Sequence, residues 1–117
     1  MVEYNRKEQR VPTKLVVKIH SGVLRTWGVV SDISHNGLFI HAKHKLNPDT
    51  ILDIELMMPD GKTAALRGVV KRIVILPDSH RKFGMGIEVI EKDTTYRDYM
   101  TWLYQEKNIP DRSHTHK

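Results

Sequence analysis

The stretch GVVSDISHNGLFI, residues 28–40, places a short polar segment between two apolar runs. Branched and aromatic residues favour extended backbone, whereas Asn36-Gly37 tolerates the positive φ that a tight hairpin turn requires. Asp32 and Ser34 also suit a turn, because their short polar side chains can bond the nearby backbone. The stretch therefore predicts two antiparallel strands, and turn chemistry by itself accounts for the residues that join them.

Extended patterns continue on both sides of this hairpin. In TKLVVKIH, Leu15, Val17 and Ile19 fall on one face of an extended chain, and the other face carries Lys14, Lys18 and His20, which is typical of a half-buried strand. Leu52, Ile54 and Leu56 alternate in the same way, and Gly68 indicates a bulge or a close backbone approach. The predicted strands are 13–20, 23–33, 37–42, 51–58, 63–76 and 83–90. Six short strands separated by turns predict an all-β fold, a six-stranded antiparallel barrel.

The periodicity changes after the sixth predicted strand. Aromatic and apolar residues then recur at steps of three and four, which predicts one apolar face of an α-helix. These residues are Tyr96, Tyr99, Met100, Leu103 and Tyr104. We expect Asp93 or Thr94 to be the N-cap, and Asn108 and Pro110 to end the helix.

The chain of 117 residues fits a single domain. We expect a flexible N-terminal arm over residues 1–11, the barrel with its C-terminal helix over residues 12–109, and a disordered tail over residues 110–117. The arm carries few apolar side chains, so burial offsets little of its conformational entropy.

Composition excludes several classes of protein. The sequence has no cysteine, which excludes disulfides and thiolate metal sites. Its N-terminus is charged and lacks the apolar stretch of a signal peptide. No window approaches the roughly 18 consecutive apolar residues of a membrane span. We therefore expect a cytoplasmic protein without a membrane span.

The motifs of common enzymes and metal sites are also missing from the sequence. His41 and His44 form the best local histidine pair, but residues three apart on a strand face opposite sides. Ser34 and His35 are neighbours without the nucleophile elbow that a hydrolase would show, and there is no P-loop. We expect no catalytic residue, no metal and no cofactor.

Positive charge is concentrated early in the chain. Nineteen lysines and arginines against 14 acids give a formal charge of +5. Arg6 and Arg10 lie four residues apart just before the first predicted strand. Arginine carries a planar fork of donors that can hold a phosphate or the O6/N7 edge of guanine. The arm therefore favours an anionic ligand.

Two motifs together resemble the PilZ domain family. Arg6 and Arg10 match R-x-x-x-R, and Asp32, Ser34 and Gly37 match D-x-S-x-x-G at the end of a strand. The spacing of the motifs and the late GMGIEVI strand followed by a helix are also similar. The likeness extends from about residue 6 to about residue 106.

The resemblance implies a six-stranded antiparallel barrel and cyclic di-GMP, a bacterial second messenger, as ligand. It also implies that Arg6 and Arg10 contact guanine and phosphate, and that DISHNG (residues 32–37) lies against the nucleotide. Asp32 can accept hydrogen bonds from guanine N1–H and N2–H₂. Ser34 can donate to a phosphate, and Gly37 permits close approach of the backbone.

Lys7 and Glu8 lie between the motif arginines, and we expect them to contribute little. We expect the arm to be mobile without ligand and to fold across the barrel near residues 32–37 when the ligand binds.

We interpret the chain as a cyclic di-GMP receptor or adaptor that signals to an unidentified downstream protein, because a one-domain receptor has no output module of its own. One alternative is a small barrel that binds RNA or single-stranded DNA, which needs exposed aromatic side chains among basic ones. Phe39 and Trp27 are available, but most other aromatics lie on the helix, so nucleic acid is disfavoured as a partner. The other alternative is a PilZ-like structural adaptor that binds no nucleotide.

Overall fold

The computed structural model describes residues 8–110, and within this range the chain forms a closed barrel and one helix. The elements are β1 (Val11–Ser21), β2 (Leu24–Ile33), β3 (Gly37–Ala42), β4 (Ile51–Met57), β5 (Thr63–Ile75), β6 (Phe83–Lys92) and α1 (Thr94–Glu106). Neighbouring strands are antiparallel in the order β1-β2-β3-β6-β5-β4, and β4 pairs with β1 to close the sheet. The prediction of a six-stranded antiparallel barrel with a C-terminal helix is confirmed.

The first strand begins earlier than the alternation predicts. It starts at Val11, whose side chain is buried, and includes Pro12 in register with Asp32. The register shifts between Pro12 and Leu15, as expected near a proline, which has no N–H for the ladder. Residues 1–7 and 111–117, on which most of the predicted arm and tail fall, lie outside the described residues, and their flexibility stays a prediction.

Alternation along the strands produces one apolar core. The residues predicted to face inward on β1 and β4 are all buried: Leu15, Val17, Ile19, Leu52, Ile54 and Leu56. The helix adds Tyr96, Met100, Leu103 and Tyr104 to the same core, while Tyr99 packs at its edge. The 3.6-residue periodicity therefore identified the buried face of α1.

Both predictions for Gly68 on β5, a bulge and a close backbone approach, are confirmed. The β5–β6 register shifts between Arg67 and Gly68. A Cβ atom at this position would lie 2.5 Å from Cγ2 of Ile87 and 3.0 Å from the carbonyl oxygen of Glu88. A bulge and a close approach thus coincide where no side chain fits.

Asp93 is the N-cap of α1 and also attaches the helix to the barrel. Its carboxylate accepts hydrogen bonds from the backbone N–H of Tyr96 at 3.0 Å and of Ala65 on β5 at 2.8 Å. At the other end, Asn108 adopts a left-handed φ of 57°, a usual way to end a helix. Within residues 8–110, no helix has the length and hydropathy needed to cross a membrane.

A substitution at Leu56 tests how β4 packs in the closed barrel. Its side chain is fully buried, and the residue lies in register with Val17 of β1 and Ala64 of β5. We expect Leu56→Ala to lower the free energy of unfolding by about 2–5 kcal/mol, measured by urea denaturation. The control is Val23→Ala, whose side chain is fully exposed, with an expected change within about 0.5 kcal/mol. Equal losses in the two variants would contradict the packing described for β4.

Candidate functional site

The turn between β2 and β3 differs from the predicted hairpin. Ser34 N–H donates to the carbonyl of Gly37 at 2.9 Å, so His35 and Asn36 are the central residues of the turn. Positive φ occurs at neither Asn36 nor Gly37, and Gly37 is the first residue of β3. The expectation that Asn36-Gly37 supplies positive φ is therefore wrong.

Contacts from outside the hairpin replace that local turn chemistry. The Tyr96 hydroxyl donates to the carbonyl of Ser34 at 2.5 Å, and the backbone N–H of Val89 donates to the carbonyl of Asn36 at 3.0 Å. Lys92 Nζ donates to the carbonyl of His35 at 2.8 Å. Helix and sheet thus supply donors to all three carbonyls of the turn, those of Ser34, His35 and Asn36.

Tyr96 is fully buried, and burial raises the pKa of its phenol well above the usual value. The phenol therefore stays protonated and keeps its proton for the Ser34 carbonyl. This bond joins α1 to the turn across 62 positions of sequence.

Arg10 and Asp32 meet beside this turn. Arg10 Nη1 lies 2.9 Å from Asp32 Oδ1, and both side chains are partly exposed, at 43% and 35%. A Cβ atom at residue 37 would lie 2.6 Å from Arg10 Nη2, so glycine leaves the space that the guanidinium fills. The group that closely approaches Gly37 is thus a side chain of the same protein. Arg6 lies outside the described residues.

Ser34 is buried, and its hydroxyl faces Glu8. Ser34 Oγ donates to Glu8 Oε1 at 2.8 Å, and the backbone N–H of Asn36 donates to the same oxygen at 3.1 Å. The side-chain amide of Asn36 donates to the second carboxylate oxygen. The carboxylate of Glu8 thus accepts hydrogen bonds from three donors of the turn, whereas the sequence predicted an exposed side chain. That Glu8 contributes little stays a prediction. A lone acid between two arginines gives no periodic signal from which this contact could be predicted.

The helix also contacts the segment that carries Glu8 and Arg10. The hydroxyl of Tyr104 donates to the carbonyl of Gln9 at 3.0 Å. The ring of Tyr104 meets His35 edge to face, with centroids 5.2 Å apart. α1 therefore contacts both halves of the candidate site, the segment before β1 and the β2–β3 turn.

A row of residues extends the site across the outer face of the barrel. Asp32, Phe39, Gly86 and Arg72 lie in register on β2, β3, β6 and β5. Arg72 Cζ lies 5.6 Å from the centroid of the Phe39 ring, a cation–π arrangement. Sequence reasoning missed Arg72, because its position in this row depends on the register shift between Val70 and Arg72.

The predicted histidine pair makes two separate sets of contacts. The ring of His41 meets Phe39 edge to face, with centroids 5.5 Å apart. His41 Nε2 lies 3.2 Å from Ser31 Oγ, and His44 Nδ1 lies 3.1 Å from Thr26 Oγ1. Over residues 8–110 there is no group of three or more histidine or acidic side chains placed to hold a metal ion.

Comparison with known proteins supports the fold. The model of the PilZ domain family matches residues 4–105. Among curated proteins, a sequence search finds no match to the chain.

Among solved structures, the inhibitor of motility MotI/DgrA of Bacillus subtilis is similar at 19% identity and a TM-score of 0.73, over 86% of this chain and 50% of its own. The chain thus spans about half the length of that protein. The PilZ domain of CeSA from a cellulose-synthesizing bacterium is similar at 20% identity and a TM-score of 0.59, over 86% of this chain and 98% of its own. The PilZ domain of Escherichia coli YcgR, solved with c-di-GMP, is similar at 15% identity and a TM-score of 0.62, over 86% and 92%. At these identities the likeness shows a shared fold.

Replacing Tyr96 by phenylalanine tests its role in fixing the turn. We expect Tyr96→Phe to lower the free energy of unfolding by about 1–3 kcal/mol at neutral pH, because the buried carbonyl of Ser34 loses its donor. The raised pKa adds a pH dependence. The protonated phenol contributes its full stability below the pKa of an unfolded tyrosine, 10.0. This stability is lost as pH rises towards the pKa of Tyr96 in the folded protein, because the unfolded chain ionises first.

Urea denaturation at neutral pH and above pH 10.0 measures both effects. The parent should lose more stability at alkaline pH than Tyr96→Phe does. Identical stability of the two proteins at neutral pH would show that the hydroxyl does not hold the turn.

Proposed function

This chain belongs to the PilZ domain family, and on that basis we propose that it is a cyclic di-GMP receptor, not an enzyme, that signals to a partner protein. The observation that carries the proposal is the convergence of Arg10, Asp32, Ser34 and Gly37 around one turn of the barrel. Arg6 completes the motif in sequence. The proposal includes a bacterial, cytoplasmic setting, because the ligand is a bacterial second messenger.

The Arg10–Asp32 pair suits an exchange of partners. Both side chains are partly exposed, and such pairs contribute at most about 1 kcal/mol. A ligand can therefore separate them at small cost. Arg10 would then bind phosphate or the O6/N7 edge of guanine, while Asp32 would accept from guanine N1–H and N2–H₂.

Phe39 and Arg72 add a surface on which a base can stack. The ring of Phe39 is half-buried and in register with Asp32, and Arg72 lies on its far side. No carboxylate within residues 8–110 forms an ion pair with Arg72, so its charge can serve a ligand. Aromatic rings and guanidinium planes both favour stacking with a guanine.

The two alternative functions can be tested in one titration experiment. Trp27 is 53% exposed and lies beside Lys18, which is the combination of side chains that a nucleic-acid-binding surface would use. A structural adaptor would bind neither nucleotide nor nucleic acid. Isothermal titration with cyclic di-GMP, with GTP, cyclic di-AMP and a single-stranded oligonucleotide as comparison ligands, separates the three functions.

The motif residues should control affinity. We expect Arg10→Ala to cost about 1.5–3 kcal/mol, because it removes a charge-assisted, bidentate contact. This corresponds to roughly 10- to 150-fold weaker binding in the titration. Arg6→Ala should behave alike, and Asp32→Ala should also relax the preference for guanine. Arg25→Ala is the control, because Arg25 is exposed and lies seven residues from Asp32 along β2, about 23 Å away.

The control variant distinguishes binding at the motif residues from binding by the overall positive charge of the protein. Arg25→Ala should titrate like the parent. Equal losses in Arg10→Ala and Arg25→Ala would show that overall positive charge holds the ligand, and parental affinity in all motif variants would show that the site lies elsewhere.

Arg72 provides a test of the extended surface. We expect Arg72→Ala to weaken binding by about 0.5–2 kcal/mol, the range of a cation–π or stacking contact. The control is Lys71→Ala, the preceding residue on β5, whose amine lies 3.7 Å from Glu88 Oε1. An affinity of Arg72→Ala equal to that of Lys71→Ala would confine the site to the motif residues.

A further inference from the structure

The carboxylate of Glu8 is surrounded by donors of the β2–β3 turn. One of its oxygens accepts from Ser34 Oγ at 2.8 Å and from the backbone N–H of Asn36 at 3.1 Å. The other accepts from the side-chain amide of Asn36. This is the coordination that a phosphate oxygen would receive, because both groups are anionic acceptors that favour several N–H and O–H donors.

These donors are held in place by contacts that do not involve Glu8. The Ser34 carbonyl accepts from Tyr96, and the Asn36 carbonyl accepts from Val89 N–H. Lys92 Nζ donates to Asn36 Oδ1 at 2.7 Å, which turns the NH₂ group of that amide towards Glu8. The turn is therefore a site for an anion that the protein maintains by itself.

The segment that carries Glu8 is attached on its other side as well. Two residues further along the chain, Arg10 is paired with Asp32. The carbonyl of Gln9, the residue between Glu8 and Arg10, accepts from the hydroxyl of Tyr104. Glu8 is thus tethered next to the donors, which gives its carboxylate a high effective concentration there.

We propose that Glu8 is an internal competitor of the ligand: its carboxylate occupies the anion position at Ser34 and Asn36, and an anionic oxygen of cyclic di-GMP must displace it. This inference rests on the proposed function. Binding is then an exchange at residues 8–10, in which the ligand replaces Glu8 at the turn and Arg10 leaves Asp32. The competition lowers the affinity and so raises the ligand concentration at which the receptor responds.

Replacing Glu8 measures this competition. The Glu8→Gln variant removes the charge and places an NH₂ group near the donors of Asn36. Because this weakens the internal hydrogen bonds to the turn, we expect about tenfold tighter binding of cyclic di-GMP in isothermal titration. Glu8→Ala removes the group altogether and should also bind more tightly. Thermal unfolding of each variant without ligand verifies that the barrel is intact.

Glu55→Gln is the matched control for charge. Glu55 lies in register with Lys18 of β1, six residues along that strand from Pro12 and hence about 20 Å from the turn. Both substitutions to glutamine raise the net charge by one unit. If Glu55→Gln tightens binding as much as Glu8→Gln, a general electrostatic effect explains the gain and the proposal fails.

The remaining outcomes separate this inference from the proposed function. If the parent binds cyclic di-GMP and both Glu8→Gln and Glu8→Ala bind it with the affinity of the parent, the competition is overturned and the receptor function stands. Weaker binding in both variants would make Glu8 a ligand contact and also overturn it. Absence of binding in the parent and in every variant would reject the receptor function, whereas binding seen in the Glu8 variants alone would support the competition.

Discussion

The hydrogen bond from Tyr96 to the carbonyl of Ser34 connects the helix to the turn around which the candidate site is built. Its donor belongs to a fully buried side chain, and its acceptor lies 62 positions earlier in the sequence. A buried carbonyl without a donor costs about 1–3 kcal/mol, so helix and turn keep one relative position. Ser34, Asn36 and Gly37 can then present their polar groups from a backbone that is held by both helix and sheet.

The barrel could be predicted from the sequence because burial alternates with a period of two. Leu15, Val17 and Ile19 are inward as expected, and the change of period identified α1 and its cap at Asp93. The turn could not be predicted equally well, because Asn36-Gly37 is a local signal and the actual turn is held by Val89 and other distant groups. Tertiary hydrogen bonds replaced local preference there.

The same distinction applies to the candidate site. The motifs placed Arg10, Asp32, Ser34 and Gly37 together, and the structure brings these four to one turn. Arg72 and Glu8 escaped prediction for different reasons. A register shift on β5 places Arg72 in the row with Phe39. Glu8 lies on an irregular segment and reaches the turn by hydrogen bonds. Neither register shifts nor irregular segments leave a periodic trace in sequence.

The polar groups of the site largely satisfy one another. Acid and base are paired on the surface, and the turn donors are occupied by a carboxylate. An anion that displaced the carboxylate of Glu8 would have to accept from the same donors, which would penalise anions of the wrong shape. Such a surface favours selectivity over raw affinity, because a simple anion would gain little by replacing a well-placed internal one.

The order of strands around the barrel has a consequence for synthesis of the chain. β3 pairs with β6 and β1 pairs with β4, while Gln9 is held by Tyr104, 95 positions later. A ribosome must therefore release nearly the whole domain before Tyr104 can contact the segment that precedes β1, and pairings of such long separation form slowly. Unfinished chains therefore lack the contacts that α1 makes with both halves of the candidate site, and the arrangement described above belongs to the completed domain.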